Sequence, residues 1–212
     1  MPALLDLLSA LRVRATFFTT GEMARLFPDI VARVVAEGHE LACHGQWHRD
    51  FTRLTREEAN RELRESTEIL RSFAPVVSFR APYLRYPAAY LDLLPQNGLS
   101  IDSSVARYKR GENHRETDTV PGLVRIPASL TSSALRLPRV IRNAWIRGLR
   151  APRVLFVHPW EAADFRRSSL RWDCRFRTGE PALRAWRDTL LSLQCAGAFF
   201  VPLREVATAS AH

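Results

Sequence analysis

Short apolar runs alternate along this chain with longer segments whose apolar residues recur every three or four positions. Short apolar runs indicate strands, and the longer period indicates helices. The predicted strands span residues 13–18, 41–43, 76–79, 99–101, 123–127, 154–157 and 198–201. The predicted helices span residues 4–11, 22–37, 55–73, 87–94, 138–149 and 181–194. This alternation favours an α/β fold with a parallel sheet and right-handed crossovers.

Local signals place the ends of two of these helices. Thr55 followed by Glu58 matches a capping box at the start of the third helix, and Gly38 is a stop signal after the second. The polar stretch between the fourth and fifth strands is predicted to be a long functional loop.

Polar side chains follow four of the predicted strands at the point where each strand ends. His44 and His48 come after the second strand, Arg80 after the third, Asp102 after the fourth and His158 after the sixth. In parallel α/β folds the carboxyl ends of the strands carry the chemistry. We therefore expect these side chains to meet at one mouth.

The composition fits a single domain spanning residues 1–212, since 46% hydrophobic content can supply one sizeable core. The net charge of +9 comes from dispersed arginines, with Lys109 the sole lysine, so nucleic-acid binding is not expected. Three scattered cysteines argue against a disulfide framework. The sequence has neither a membrane-span pattern nor a signal-peptide pattern, so the expected location is the cytoplasm.

The ordered motifs resemble the polysaccharide deacetylase family, also called the NodB-homology domain or carbohydrate esterase family 4. The matching segments are the two-histidine loop at 44–48, Arg-Ala-Pro-Tyr at 80–83, Asp-x-Ser-x-x-x-Tyr at 102–108 and Leu-Phe-Val-His at 155–158. The last continues into Pro-Trp-Glu, which resembles a subgroup linked to exopolysaccharide and exosortase systems. The resemblance implies a distorted (β/α) barrel that is incomplete here, because the family's first strand is missing.

The resemblance also implies roles for individual residues. His44 and His48 would be ligands of a divalent metal, with zinc the usual ion. His158 would be the general acid that protonates the leaving amine, oriented by Asp102. The backbone N–H of Tyr83 would stabilise the oxyanion, and Arg80 corresponds to the arginine that orients the catalytic aspartate. Three aromatic residues would form walls that bind the sugar: Trp47, Tyr108 and Trp160.

One departure from the family pattern matters most. The family's first motif, Thr-Phe-Asp-Asp, supplies one metal-binding aspartate and the general base, and this chain contains no Asp-Asp pair. The domain is therefore expected to be N-terminally truncated relative to the family, with the third metal ligand absent. Asp50 and Glu161 are candidate substitute ligands that match no family position.

Two functional hypotheses remain open. The chain is either a metal-dependent hydrolase acting on the N-acyl bond of an amino sugar in a glycan or glycolipid, or a catalytically degenerate carbohydrate-binding or scaffold domain. Removing the first strand of a barrel would also expose backbone edges. We therefore expect poor solubility, or a homo-oligomer formed through the exposed barrel edge.

Overall fold

The computed structural model describes residues 1–109 and 118–209, so part of the predicted long loop, residues 110–117, lies outside the described residues. The chain separates into two compact units. The first comprises Met1–Val13 and Ser129–Phe200, and the second, called the sheet unit below, comprises Arg14–Ala128 and Val201–His212. The single domain expected over residues 1–212 stays a prediction.

The sheet unit contains five parallel strands that follow one another in space in chain order. They are β1 (Thr16–Thr19), β2 (Glu40–Cys43), β3 (Ser78–Phe79), β4 (Ile101–Asp102) and β5 (Val124–Arg125). This arrangement confirms the α/β fold with a parallel sheet. The described strands do not close into a barrel, in keeping with the incomplete barrel expected from the sequence.

The helices of the sheet unit are α2 (Gly21–Leu26), α3 (Pro28–Ala36), α4 (Arg56–Arg71), α5 (Leu93–Gln96) and α9 (Leu203–Ala209). The single helix predicted over 22–37 is wrong, because the chain breaks at Phe27 and Pro28 begins a new helix. Proline lacks the N–H that a continuing helix requires but suits a first helical position. The helix predicted over 87–94 is also wrong, since a 3₁₀ turn at Ala88–Tyr90 precedes the short α5.

Helix α4 fixes the core of this unit. Thr55 accepts a hydrogen bond from the Glu58 N–H, and the Glu58 side chain accepts one from the Thr55 N–H, which confirms the capping box. The buried face of α4 joins a hydrophobic cluster that includes Leu41 and Phe79 of the strands and residues of the neighbouring helices and turns. The helix therefore covers one part of the sheet with an apolar face.

The first unit consists of helices and irregular segments. Its helices are α1 (Pro2–Ala10), α6 (Arg139–Arg147), α7 (Trp172–Arg175) and α8 (Glu180–Cys195). The strands predicted at 154–157 and 198–201 do not form. The Val154 carbonyl accepts a hydrogen bond from the Ser129 N–H at 2.9 Å, but the Val154 N–H donates to the Ser129 hydroxyl, so a regular ladder does not continue from this contact. Throughout residues 1–109 and 118–209, no helix has the length and apolar character needed to cross a membrane.

Candidate active site

Three neighbouring strands of the sheet unit end in one row. The register pairs Cys43 with Phe79, and Phe79 with Asp102. His44 and Arg80 each follow a member of this row and therefore lie at the same edge of the sheet. The pleated register thus brings the first three motifs together.

The His44 ring is oriented by the neighbouring strand. Its Nδ1 donates a hydrogen bond to the Arg80 carbonyl oxygen at 2.5 Å, because a carbonyl can only accept. In this tautomer Nε2 is the nitrogen suited to metal coordination, as in metal-binding histidines held by a backbone carbonyl. The His44 ring centroid lies 5.0 Å from that of His48, which lies 5.0 Å from that of Tyr83.

Glu62, a buried carboxylate on α4, holds the two-histidine loop in place. Its Oε2 accepts hydrogen bonds from the backbone N–H groups of Gln46, at 2.7 Å, and Trp47, at 3.0 Å. Gly45 has φ +77, and a Cβ there would lie 3.2 Å from the Phe51 ring. The sequence analysis missed Glu62, although its position on the core-facing side of an amphipathic helix predicts that its carboxylate is buried.

Arg80 links β3 to the chain that follows β4. Its side chain is buried, donates to both the hydroxyl and the carbonyl of Ser103, and lies 4.4 Å from the centroid of the Phe18 ring. Burial lowers the pKa of the guanidinium to about 10, although Asp102 acts in the opposite direction. Arg80 remains a cation at neutral pH.

Tyr83 has a left-handed backbone conformation, with φ 61 and ψ 6, and Leu84 follows with φ 54. Non-glycine residues rarely adopt such conformations, which cluster at functional sites. Within the described part of the chain, the Tyr83 N–H has no protein acceptor. The backbone therefore presents the donor that the resemblance assigns to oxyanion stabilisation.

Asp102 is completely buried and is paired inside the sheet unit. One carboxylate oxygen accepts a hydrogen bond from the Ser104 N–H at 2.8 Å, and the other accepts one from Arg125 Nε at 3.0 Å. This carboxylate therefore caps the turn after β4 and pairs with a cation on β5. Its expected role in orienting His158, a residue of the first unit, stays a prediction.

In the first unit, His158 is oriented by a carboxylate three residues along the chain. Its Nδ1 lies 2.8 Å from Glu161 Oε1, and Glu161 is completely buried. The second oxygen, Oε2, lies 3.2 Å from Arg136 Nε in a contact that is ionic, since its geometry is not that of a hydrogen bond. The His158 ring also stacks on Trp160 and meets the edge of Phe156.

The sequence analysis treated Glu161 only as a possible metal ligand and missed its pairing with His158. The signal was the spacing of three residues in the turn Pro159–Ala162, which brings the two side chains to the same side. Arg136 was missed as well, because a buried arginine cannot be told from an exposed one by composition.

Neither candidate substitute ligand is supported by the geometry. Asp50 accepts hydrogen bonds from the backbone N–H and the hydroxyl of Thr52, and pairs with Arg85 at 3.0 Å. Burial acts to raise the pKa of Asp50, but these contacts outweigh it and lower the pKa overall. Glu161 is engaged by His158 and Arg136. Both carboxylates serve protein contacts in place of a metal.

The three expected aromatic walls are all at least partly exposed. Trp47 and Tyr108 belong to the sheet unit, whereas Trp160 belongs to the first unit and stacks on His158. Exposed aromatic rings can pack against the apolar face of a sugar. Their contact with substrate stays a prediction.

The described residues supply only part of a metal site. His44 and His48 are neighbours, and His44 has the tautomer that coordination requires. No group of three or more His, Cys, Asp or Glu residues in residues 1–109 and 118–209 is placed to hold a metal ion. A catalytic zinc site uses three protein ligands, so these residues alone do not fit a complete centre.

Residues 1–101 match the sequence model of the family described as polysaccharide deacetylase. The chitooligosaccharide deacetylase of Sinorhizobium fredii (strain NBRC 101917 / NGR234) is 39% identical over 85 residues, which cover 39% of this chain and 40% of that protein. The chitin deacetylase of Colletotrichum lindemuthianum is 34% identical over 126 residues, which cover 56% of this chain and 50% of that protein. The chain thus matches half or less of the length of these curated relatives.

A solved peptidoglycan N-acetylglucosamine deacetylase shares the fold. It superposes with a TM-score of 0.65 at 21% identity, and the match covers 96% of this chain and 79% of that chain. The structural likeness therefore extends through the second half of the sequence, beyond the family match.

Proposed function

We propose that this chain, which carries a polysaccharide deacetylase domain of the NodB-homology type, is a hydrolase that removes the N-acyl group from an amino sugar of a glycan. The observation that carries the proposal is the juxtaposition of His44, Arg80 and Asp102 at the ends of three adjacent parallel strands. A structural role alone would not require a histidine pair beside a residue with a left-handed backbone whose N–H has no acceptor in the described part of the chain.

His158 is assigned the proton donor role. Amide cleavage needs a proton delivered to the departing nitrogen, and imidazole titrates in the range where such transfer is efficient. Glu161 accepts a hydrogen bond from Nδ1, which fixes the orientation and the tautomer of the ring. Nε2 is then the ring nitrogen that exchanges a proton with substrate.

Tyr83 is assigned the stabilisation of the oxyanion. Attack on the acyl carbonyl converts its oxygen into an anion, and a fixed N–H donor stabilises that charge. The left-handed conformation of Tyr83 leaves its N–H without an acceptor among the described residues, so no protein hydrogen bond has to break when substrate arrives.

His44 and His48 are assigned to a divalent metal ion, with zinc proposed from the resemblance. A bound zinc ion would lower the pKa of a water molecule and polarise the acyl carbonyl. A complete centre requires a third ligand in addition to His44 and His48.

The finer properties of the substrate and setting rest on the sequence alone. A lipid-linked glycan, a cytoplasmic location, the absence of nucleic-acid binding and a homo-oligomer all remain predictions.

Release of acetate from N-acetylated chito-oligosaccharides, measured in the presence of zinc, tests the proposal. We expect release from the wild-type chain and its loss in both His44→Ala and His158→Ala. The matched control is His39→Ala, because His39 is buried and its Nδ1 accepts a hydrogen bond from the Ala15 N–H, outside the proposed site.

The second hypothesis, a carbohydrate-binding domain without catalysis, is favoured by the incomplete ligand set. Binding of the oligosaccharide with no acetate release, unchanged in the His44 and His158 variants, would support it and contradict the hydrolase. A calorimetric titration with the oligosaccharide measures the binding, and the acetate assay on the same variants separates the two outcomes.

A further inference from the structure

Helix α6 exposes the residues that a surface helix ordinarily buries. Val140 is 81% exposed, Ile141 54% and Trp145 53%, whereas Arg142 and Ile146 on the opposite side are each 2% exposed. Amphipathic helices of globular domains turn their apolar stripe toward the core. An exposed stripe of large apolar residues therefore marks a surface for a partner.

The exposed residues form one continuous stripe. Helical geometry places residues 140, 141, 144, 145 and 148 within an arc of about 140° on the helix surface. The opposite face is anchored in the first unit, where Arg142 donates to the Leu137 carbonyl and Asn143 lies 3.5 Å from the Ser192 hydroxyl on α8. The stripe therefore cannot turn inward without loss of these contacts.

The chain segment that carries the stripe has charges of one sign only. Residues 119–160 contain no aspartate or glutamate, and four arginines of α6 and the segment after it are exposed: Arg139, Arg147, Arg150 and Arg153. A short helix with aromatic and aliphatic residues on one face and arginines beside them is typical of segments that lie in the interface of a membrane.

We propose that the exposed face of α6 docks on the surface of an anionic phospholipid bilayer. Trp145, Ile141 and Val140 enter the boundary between headgroups and acyl chains. Arg147, beside the stripe, pairs with lipid phosphates, and Arg139, exposed at the first residue of the helix, adds to the attraction of the anionic surface. The surface is peripheral, since α6 spans nine residues and is far shorter than a membrane span.

Charge complementarity favours this occupant over a second copy of the chain. Two copies meeting through α6 would bring like-charged arginines together without a carboxylate from this segment to offset them. An anionic bilayer supplies a dense layer of phosphates to the same arginines, and basic residues near such a surface are attracted individually.

Co-sedimentation of the purified chain with vesicles tests the proposal. We expect binding to phosphatidylcholine vesicles that contain phosphatidylglycerol, weak binding to pure phosphatidylcholine, and a decrease at high salt because screening shortens the range of the attraction. The double variant Arg139→Glu, Arg147→Glu should lower the partition coefficient at least about 20-fold, from roughly fivefold for each arginine lost.

Matched control variants distinguish binding through the α6 surface from nonspecific adsorption to vesicles. Arg184→Glu with Arg187→Glu on α8 changes the net charge equally and should retain most of the binding. Ile141→Ser with Trp145→Ser should lower binding by at least about tenfold, whereas Phe199→Ser, at a residue 84% exposed elsewhere, should not.

Three results would overturn the proposal. These are equal binding to neutral and anionic vesicles, no binding to either, and equal losses in the α6 and α8 charge variants. A dimer in analytical ultracentrifugation that dissociates in the Ile141, Trp145 variant would assign the stripe to a second copy instead. None of these readouts depends on hydrolysis, so failure here is distinguishable from failure of the proposed activity.

Discussion

The ion pair between Glu161 and Arg136 gives the sharpest prediction for the first unit. Both side chains are at most 1% exposed, so Glu161→Gln would leave a buried guanidinium without its counter-charge. Removing one member of a buried pair costs about 3 to 5 kcal/mol. Since the glutamine retains the shape and one polar contact to His158, we expect about 3 kcal/mol. For a chain of this size, that loss corresponds to a fall of about 6 to 12 °C in Tm.

Thermal and urea unfolding measure this loss, and two further variants show its origin. Adding Arg136→Met to Glu161→Gln removes the unpaired guanidinium and should recover part of the lost free energy of unfolding. A double-mutant cycle measures this coupling between the two residues. Asp164→Asn removes an exposed carboxylate that faces Arg166 and should leave Tm almost unchanged. A Glu161→Gln variant as stable as wild type, or strictly additive effects in the cycle, would refute this reasoning.

Three further predictions follow from other buried polar groups. Glu62→Ala should lower the free energy of unfolding by about 2 to 3 kcal/mol, because two backbone N–H groups of the histidine loop lose their acceptor. Urea unfolding measures this loss, and Glu68→Ala, on the exposed side of α4, is the control that should show none. Burial lowers the pKa of His39, so below pH 6.5 the unfolded chain binds a proton that the folded chain does not bind. The free energy of unfolding should therefore fall as the pH drops below 6.5, and the fall should be smaller in His39→Gln. Burial raises the pKa of the Cys43 thiol to about 11, so this thiol should not react with iodoacetamide at pH 8 in the folded chain. Mass spectrometry should find the label on the exposed Cys195 and not on Cys43. Rapid modification of Cys43 in the folded chain would contradict this.

Local signals made much of the sheet unit predictable. The apolar runs placed all five strands of this unit to within a few residues, and the Thr55 capping box gave the start of α4. The signals failed where one residue overrides a periodic pattern. Pro28 divides a helix whose apolar spacing continues across it, and spacing alone carries no information about the missing N–H.

Tertiary contacts account for what the sequence could not show. The run at 154–157 has the composition of a strand, but at Val154 only the carbonyl takes part in a backbone hydrogen bond, from the Ser129 N–H, while the Val154 N–H donates to the Ser129 hydroxyl. Similarly, motif order predicted that His44 and Arg80 would meet, while the pairing of Glu161 with Arg136 joins residues that no motif connects. The proximity of side chains that follow neighbouring parallel strands can be predicted from the sequence. The proximity of buried charges on irregular segments cannot.

The measurement that tests the candidate site most directly is zinc binding by calorimetry, compared among the wild-type chain, His44→Ala and His39→Ala. The account predicts weak one-to-one binding, because His44 and His48 supply only two of the three ligands of a complete centre. This binding should be lost in His44→Ala and retained in His39→Ala, whose Nδ1 is engaged outside the site. Zinc binding unaffected by His44→Ala, or no binding by the wild-type chain, would contradict the assignment of the strand ends as the metal-binding part of a deacetylase site.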